Sequence, residues 1–340
     1  MPGAMAEPLD PSEIGESAHW LAQAYDPGSD MIRFVAMTAE DYRKASFLDD
    51  RMFETWRDVR LSPRPVVADT LGPAARDDAR WIFHIGHVGS TLVARMLGEI
   101  SGILSVREPR ILRDLALIDS GDRDRLAPVV RKLCSRTFAA PDAALVKATS
   151  FVSEFAPMLV LAGGRAIFMH AGAQSYIETI LAGENSVKEL HALRDYRAAR
   201  MEGRLPRLDA PDDAHLAAIA WACEMTALEA AADAMPDRHL LWMDFDRFLA
   251  DPASRLAGAA VHLAVPLDLG EARRIASGPL MGRYSKALEY DYSPALRQEL
   301  QAEARHQHGT AIDSALEMLD EAARSSPILA RALGRADGRE

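Results

Sequence analysis

The segment from residue 81 to residue 97, WIFHIGHVGSTLVARML, constrains the fold of this chain most strongly. A short apolar run is followed by a turn that contains Gly86 and Gly89, and then by apolar residues at helical spacing. This order predicts a β-strand, a tight turn and an α-helix. The two glycines permit unusual dihedral angles, so the turn can bring backbone N–H groups close to a ligand.

An anion-binding site is expected at this turn. The first N–H groups of a helix lack intrahelical partners and, together with the helix dipole, favour a negatively charged ligand. The predicted binding residues are Gly86, His87, Val88, Gly89, Ser90 and Thr91. The alternative is a plain strand-to-helix turn whose glycines serve packing alone.

The turn differs from the loop of nucleotide triphosphatases. Their motif, G-x-x-x-x-G-K-[ST], supplies a lysine for the β- and γ-phosphates and a hydroxyl for magnesium. The residue directly after Gly89 is Ser90 and not a lysine, which disfavours ATP hydrolysis. A phosphotransferase that uses ATP and Mg²⁺ remains an alternative, with Ser90 or Thr91 as a metal ligand and an acidic partner such as Asp244.

Short apolar segments alternate with helical patterns after residue 80. The strand candidates are residues 81–85, 103–106, 144–148, 165–169 and 239–243, and the helix candidates between them are residues 91–100, 123–138, 173–181 and 212–234. Strands buried on both faces are mainly apolar, and this alternation is typical of a parallel sheet covered by helices. We predict an α/β protein with a three-layer α/β/α P-loop fold.

The N-terminal region has helical patterns before the α/β domain, which we place at residues 76–300. Residues 18–24 and 39–56 are examples of these patterns. They predict an N-terminal helical cap over residues 1–75.

The C-terminal region predicts a helical extension over residues 301–340, packed on the same domain. Gly309 is expected to interrupt it, and residues 312–333 have the pattern of an amphipathic helix. The apolar side of that helix is expected to dock on the body of the protein.

Composition limits the partners and the compartment. The net charge of −11 argues against nucleic acid, because binding to its backbone relies on a broad basic surface. Cys134 and Cys223 are the two cysteines, too few for a disulfide framework or a cysteine-built zinc site. The sequence has no apolar run long enough for a membrane span and no signal-peptide pattern. We expect a cytoplasmic protein that binds small molecules.

Two segments resemble the sulfotransferase superfamily. The segment HVGSTL, which begins at His87, resembles the 5′-phosphosulfate loop, Lys/Arg-Ser-Gly-Thr-Thr followed by an apolar residue, with His87 at the basic position. Residues 102–112, GILSVREPRIL, resemble the second strand and turn of the tyrosylprotein-type sulfotransferases, where a glutamate is the catalytic base. The resemblance implies that role for Glu108. A structural Glu108 paired with Arg107 or Arg110 is the alternative.

Later segments resemble the same family in the same order. Residues 144–150, ALVKATS, resemble a strand that ends in a lysine near the transferring group, which implies that Lys147 stabilises charge in the transition state. A lysine that extends to solvent is the alternative. The segment LLWMDFDRFLADP resembles an architectural stretch in which Asp244 caps a short helix. Arg283 and Lys286 resemble late residues that add positive charge over the nucleotide.

The site for the nucleotide's 3′-phosphate departs from the family pattern. His170 stands where the family has an arginine, and Glu178 stands at the position of a serine. A carboxylate repels a phosphate unless it turns away. Ser175 and Thr179 are the nearby hydroxyls that could substitute.

The resemblance implies an enzyme that transfers a sulfuryl group from 3′-phosphoadenosine 5′-phosphosulfate, as co-substrate, to a small-molecule hydroxyl or amine acceptor, without a metal. The implied catalytic residues are Glu108, Lys147 and His87, and the implied donor-binding residues are the turn from Gly86 to Thr91 with His170, Arg283 and Lys286. The acceptor is expected between the N-terminal cap and a lid at residues 185–213. A catalytically silent nucleotide-binding module is a third hypothesis, beside the ATP-dependent phosphotransferase.

Overall fold

Two β-sheets form the framework of the protein, whose computed structural model describes residues 8–51, 58–282 and 293–338. Within these ranges the strands are β1 (Trp20–Asp26), β2 (Met31–Ala36), β3 (Val59–Pro63), β4 (Arg80–His84), β5 (Ile103–Arg107), β6 (Ala143–Lys147), β7 (Arg165–His170) and β8 (His239–Asp244). The first three form an antiparallel sheet, and the other five form a parallel sheet in the order β5-β6-β4-β7-β8.

Helices surround both sheets. They are α1 (Pro11–Glu16), α2 (Ala39–Lys44), α3 (Arg64–Leu71), α4 (Ser90–Leu97), α5 (Arg110–Leu117), α6 (Ser120–Cys134), α7 (Ala156–Leu159), α8 (Ala173–Leu181), α9 (Glu184–Ala192), α10 (Arg194–Met201), α11 (Asp213–Asp233), α12 (Phe245–Ala250), α13 (Pro252–His262), α14 (Leu269–Ala276), α15 (Pro294–Ala323) and α16 (Pro327–Ala336), with 3₁₀ turns at Ser150–Phe155 and Pro279–Gly282. Over the described part of the chain, none of them combines the length and apolar character that a bilayer crossing needs.

The parallel sheet consists of the five strands that the apolar segments predict. Each differs from its predicted bounds by at most one residue at either end. In its interior the Phe83 ring stacks on Trp81 and meets Phe168 edge-on, with centroids 5.8 Å apart in both pairs. The prediction of an α/β fold is confirmed, because burial on both faces made these strands apolar throughout.

The connections of this sheet run in two directions from its centre. The chain leaves β4 through α4 toward β5 on one side, and it leaves β7 through α8–α11 toward β8 on the other side. Right-handed crossovers in opposite directions put their helices on opposite faces, which produces the three predicted layers. Ligands of such sheets bind at the carboxyl ends of the strands where the connections diverge, and the turn after β4 lies there.

The N-terminal region contains a β-sheet, so the predicted helical cap is wrong. Six of the seven residues of β1 are buried, and a strand without polar alternation is easily mistaken for a helix. The Tyr25 N–H donates to Asp114 Oδ2 at 2.8 Å, and helices α5 and α6 pack against β1. Contacts from distant parts of the chain therefore decide that β1 is extended. Of the predicted helix at residues 39–56, α2 covers Ala39–Lys44.

The C-terminal helix α15 runs without a break through Gly309, so the predicted interruption is wrong. A glycine inside a helix costs about 1 kcal/mol relative to alanine, and packing can outweigh that cost. Ile312 and Leu319 of α15 are fully buried, and the helix packs against α8 and α11. Its apolar side docks on the body, as predicted, and the helix begins before residue 301, the predicted start of the extension.

Candidate active site

A cavity of about 530 Å³ lies at the carboxyl ends of the central strands. Its walls come from the turns after β4, β5 and β6, from helices α9 and α15, and from the segment after α2. The predicted residues that line it are Gly86, His87, Gly89, Ser90, Thr91, Glu108 and Lys147. Three strand ends therefore bring together residues that are up to about 60 positions apart in the sequence.

The backbone at these strand ends is strained. Gly86, His87 and Gly89 have φ angles of 82°, 52° and 60°, and Glu108 has a φ of 50°. The left-handed region is free of penalty for glycine, but it costs about 1–2 kcal/mol for His87 and Glu108. Strain that the surrounding fold maintains is typical of functional positions.

Gly89 is also required by packing. A Cβ atom built on Gly89 would lie 2.0 Å from ring atoms of Phe245, which begins α12. The ring therefore rests directly on the turn. The alternative explanation of the glycines by packing holds for Gly89, but it does not exclude anion binding at the same turn.

Two buried hydroxyls of the cavity have no hydrogen-bond partner in the described structure, Thr91 Oγ1 and Thr149 Oγ1. Thr91 stands in the first turn of α4 and is 3% exposed. An unsatisfied buried hydroxyl costs about 1–3 kcal/mol, so a bound ligand that supplies an acceptor removes that cost. Thr91 Oγ1 is thus a hydrogen-bond donor available to a ligand at the turn, and Thr149 Oγ1 is one at the end of β6.

Glu108 and Lys147 form an ion pair inside the cavity. Arg107 and Lys147 are Cα partners in the β5–β6 ladder, and the Glu108 N–H donates to the Lys147 carbonyl at 2.8 Å. The Lys147 Nζ donates to Glu108 Oε1, with side-chain exposures of 1% and 13%. Lys147 therefore points into the cavity and does not extend to solvent.

In the described part of the chain, neither Arg107 nor Arg110 forms the alternative pair with Glu108. The Arg107 guanidinium is buried and donates to carbonyl oxygens of residues 42–45, and burial lowers its pKa to about 9. Arg110 donates to Asp50 Oδ2 at 2.6 Å. The hydrogen bond that Glu108 accepts from a side chain comes from Lys147.

The two histidines of the turn have different surroundings. His84, the last residue of β4, has its Nε2 2.9 Å from the Ala148 carbonyl, and its Nδ1 accepts from the Gly86 N–H at 3.0 Å. Its Nε2 is also 3.9 Å from Glu108 Oε1. His87 reaches helix α9, where its Nε2 lies 3.7 Å from Glu189 Oε2. The turn is therefore connected to the predicted lid.

His170 is not among the residues that line the cavity. It is 3% exposed, and burial lowers its pKa to about 4, so it is neutral at physiological pH. Glu178 turns away from the cavity, because it accepts from Gln174 at 2.8 Å and from Arg305 at 3.3 Å. Its charge is compensated on the side of α15.

Arg297 of α15 is a cavity residue that the sequence did not indicate. Its Nη2 donates to Ser175 Oγ at 3.0 Å, and its Nη1 donates to Asp246 Oδ1 at 2.6 Å. Gln301, one turn later, donates to Thr179 Oγ1 at 3.0 Å. Arg297, Gln301 and Thr179 line the cavity, so an arginine does stand beside the two hydroxyls expected near the 3′-phosphate.

Val88 and Asp244 are two further predicted residues that do not line the cavity. Val88 is fully buried in the core and does not line it. Arg283 and Lys286 lie outside the residues that the structure describes. Asp244 caps α12, accepting from the Arg247 N–H at 2.8 Å, which confirms its architectural role.

Comparison with known proteins gives structural likenesses only. The chain is similar to the sulfotransferase domain from the curacin biosynthetic pathway, with 13% identity over 69% of this chain and 99% of that one. It is also similar to the sulfotransferase domain of the Synechococcus PCC 7002 olefin synthase, with 17% identity over 68% and 90%, and to mouse sulfotransferase SULT7A1 complexed with PAP, with 14% over 76% and 89%. The TM-score is 0.39 for each. No family model and no curated protein matches the chain.

Proposed function

We propose that this chain is a sulfotransferase-like enzyme, which moves a sulfuryl group from 3′-phosphoadenosine 5′-phosphosulfate to a hydroxyl or amine acceptor. One observation carries the proposal: the Glu108–Lys147 pair opens into the same cavity as the glycine turn and the unpartnered Thr91 hydroxyl. A base, a cation and an anion-binding turn therefore share one cavity, whose volume is in the range of small-molecule sites.

The 5′-phosphosulfate and the 3′-phosphate of the donor bind to two separate groups of polar residues. The 5′-phosphosulfate binds at the turn, where the N–H groups of α4 and the Thr91 hydroxyl are donors. The 3′-phosphate binds at Arg297 with Ser175 and Thr179, and the guanidinium shifts part of its bonding from Asp246 to the phosphate. Arg297 thereby takes the role that the family resemblance assigned to the position of His170.

Group transfer follows from the positions of the base and the cation. The acceptor oxygen or nitrogen attacks sulfur, its bond to sulfur forms, and the bond between sulfur and the bridging oxygen breaks, so that adenosine 3′,5′-bisphosphate leaves. Glu108 takes the acceptor proton. Lys147 and the amides of the turn stabilise the charge that grows on the bridging oxygen. A carboxylate has several acceptor sites, so Glu108 can bind Lys147 and the acceptor together.

The ATP-dependent alternative has less support. It needs a carboxylate that holds magnesium near Ser90 or Thr91. Asp244 caps α12, lies 3.8 Å from His170 Nδ1 and does not line the cavity.

Thermal-shift measurements with three ligands test the proposal. Adenosine 3′,5′-bisphosphate should raise the melting temperature more than ATP with Mg²⁺ or sodium sulfate, because a ligand that binds only the native state stabilises it. A shift with Mg-ATP alone would support the phosphotransferase instead. The absence of any shift with the bisphosphate would refute the proposal.

A matched pair of variants tests whether the bisphosphate raises the melting temperature by binding at the turn. Thr91→Val removes the unpartnered hydroxyl and should reduce the bisphosphate shift. Thr70→Val removes a hydroxyl of α3 that donates to the Val66 carbonyl away from the cavity, and it should leave the shift unchanged. Equal shifts in both variants would mean that the ligand binds elsewhere.

A further inference from the structure

The cavity divides into two halves at the turn after β4. In the strand order β5-β6-β4-β7-β8, Glu108 and Thr149 follow β5 and β6 on one side, whereas Thr179 and Phe245 follow β7 and β8 on the other. Arg297 contacts Ser175, Thr179 and the Phe245 ring, so it belongs to the second side. The half at β5 and β6 is therefore left for the acceptor.

Two aromatic rings stand in the acceptor half. The Phe47 ring centroid is 6.0 Å from Lys147 Nζ, and the Leu48 N–H donates to the Arg107 carbonyl at 2.8 Å, which fixes this segment at the end of β5. Phe151 follows β6, and its ring meets Tyr196 of α10 edge-on. Both phenylalanines line the same cavity as Glu108, and aromatic rings in a cavity wall favour an apolar or aromatic ligand body.

Among the described residues, each positively charged side chain of this half except Arg113 has a carboxylate partner. Arg51 forms a two-pronged contact with Asp49, at 2.8 and 2.9 Å. Arg110 pairs with Asp50, and Lys147 pairs with Glu108. Arg113 lines the same cavity from α5, its side chain is exposed, and it has no hydrogen bond or carboxylate partner among the described residues.

We infer that the acceptor carries an anionic group, such as a carboxylate, in addition to an aromatic or apolar body and the hydroxyl that reacts. Arg113 binds the anion, Phe47 and Phe151 hold the body, and the hydroxyl faces Glu108. A planar guanidinium matches a carboxylate geometrically and stays charged at physiological pH. This inference deepens the proposed function and rests on it for the assignment of the reacting hydroxyl.

Equilibrium binding of three matched phenols tests the inference. The probes are hydroxyphenylpropionate, its methyl ester and tyramine, titrated into the full chain by calorimetry with and without adenosine 3′,5′-bisphosphate. An exposed ion pair changes affinity only modestly, so hydroxyphenylpropionate should bind about three- to fivefold more tightly than its ester, and tyramine should bind most weakly.

Variants assign that preference to one side chain. In Arg113→Gln the propionate and the ester should bind equally, with the ester affinity unchanged. Arg255→Gln, which removes an exposed arginine of α13 outside the cavity lining, should keep the native preference. Thermal melts of both variants check that they fold. Equal binding of propionate and ester to the native chain, or a preference that survives in Arg113→Gln, would overturn the inference.

The titrations separate this inference from the proposed function. Binding of the bisphosphate without a carboxylate preference would reject the anionic acceptor and leave the donor assignment intact. A preference that depends on Arg113 without bisphosphate binding would support the anion site and reject the donor assignment.

Discussion

Lys147 and Glu108 meet across the ends of two adjacent parallel strands, and the lysine ammonium donates to the glutamate carboxylate inside the cavity. The backbones of the two residues are also hydrogen-bonded, because the Glu108 N–H donates to the Lys147 carbonyl. Breaking a buried pair leaves one uncompensated charge, which costs more than the pair itself contributes. The pair therefore resists separation, at the position where the proposed reaction would place its proton acceptor and its cation.

Glu108→Gln should abolish most of the turnover while donor binding remains. A positioned general base contributes roughly 10²–10⁴-fold to a rate, and glutamine keeps the shape but cannot take a proton. Initial rates with labelled donor, beside calorimetry with adenosine 3′,5′-bisphosphate, measure the two effects separately. Glu99→Gln, an exposed carboxylate after α4, is the matched control. Full activity in Glu108→Gln would reject its role as the base.

Arg297→Ala should lower the affinity for adenosine 3′,5′-bisphosphate more than the affinity for adenosine 5′-monophosphate. A hydrogen bond to a charged group contributes about 1.5–3 kcal/mol, so the affinity for adenosine 3′,5′-bisphosphate should fall roughly tenfold or more. The affinity for adenosine 5′-monophosphate should change little, because that ligand lacks the 3′-phosphate. Arg324→Ala, which removes an exposed arginine after the end of α15, is the control. If Arg297→Ala weakens both nucleotides equally, the 3′-phosphate does not bind at Arg297.

Gly89→Ala and Gly309→Ala should change stability in opposite directions. At Gly89 the new methyl group meets the Phe245 ring, and the φ of 60° is unfavourable for alanine, so the free energy of unfolding should fall by at least about 2 kcal/mol. At Gly309 no atom lies within 4 Å of the new methyl group, and the helix should gain about 0.5–1 kcal/mol. Urea unfolding measures both changes. A stable Gly89→Ala variant would contradict the close packing of Phe245.

His170 should make the protein less stable as the pH falls. Burial lowers its pKa to about 4 in the folded chain, from an ordinary value of 6.5, so the unfolded chain binds the proton first. The contribution of His170 to the free energy of unfolding is about 3 kcal/mol. It is fully present above pH 6.5 and is lost as the pH falls to about 4. His170→Phe should lack this part of the decline in urea unfolding, and the exposed His308→Phe should retain it. If the free energy of unfolding falls with pH equally in the native protein and in His170→Phe, His170 is not the source of the decline.

The parallel sheet could be predicted because its local signals agree with the tertiary structure. Each strand is apolar and short, and each is followed by a turn or helix signal, so β4 and the other central strands lie where the pattern put them. The N-terminal sheet lacked such agreement. β1 is buried along almost its whole length by α5 and α6, and no alternation marked it as a strand.

Some residues of the candidate site were likewise predictable from local sequence, and others were not. Glu108 and Lys147 were predictable as strand-end residues, and Thr149 carried a signal that was not used, since alternate residues along a strand face the same side. Arg297 had no local signal, because an arginine on a charged helix is ordinary in sequence. It enters the site only because α15 packs beside α8.

The sequence by itself determined the strand–turn–helix segment with its glycines and the strands that flank it, because close backbone approach and burial on both faces restrict the residues allowed at each position. Only the tertiary structure decided that β1 is a strand, that α15 continues through Gly309, and that Arg297 lines the cavity whereas His170 does not. Those outcomes depend on contacts between segments far apart in the chain, whose energies exceed local conformational preferences of about 1 kcal/mol per residue.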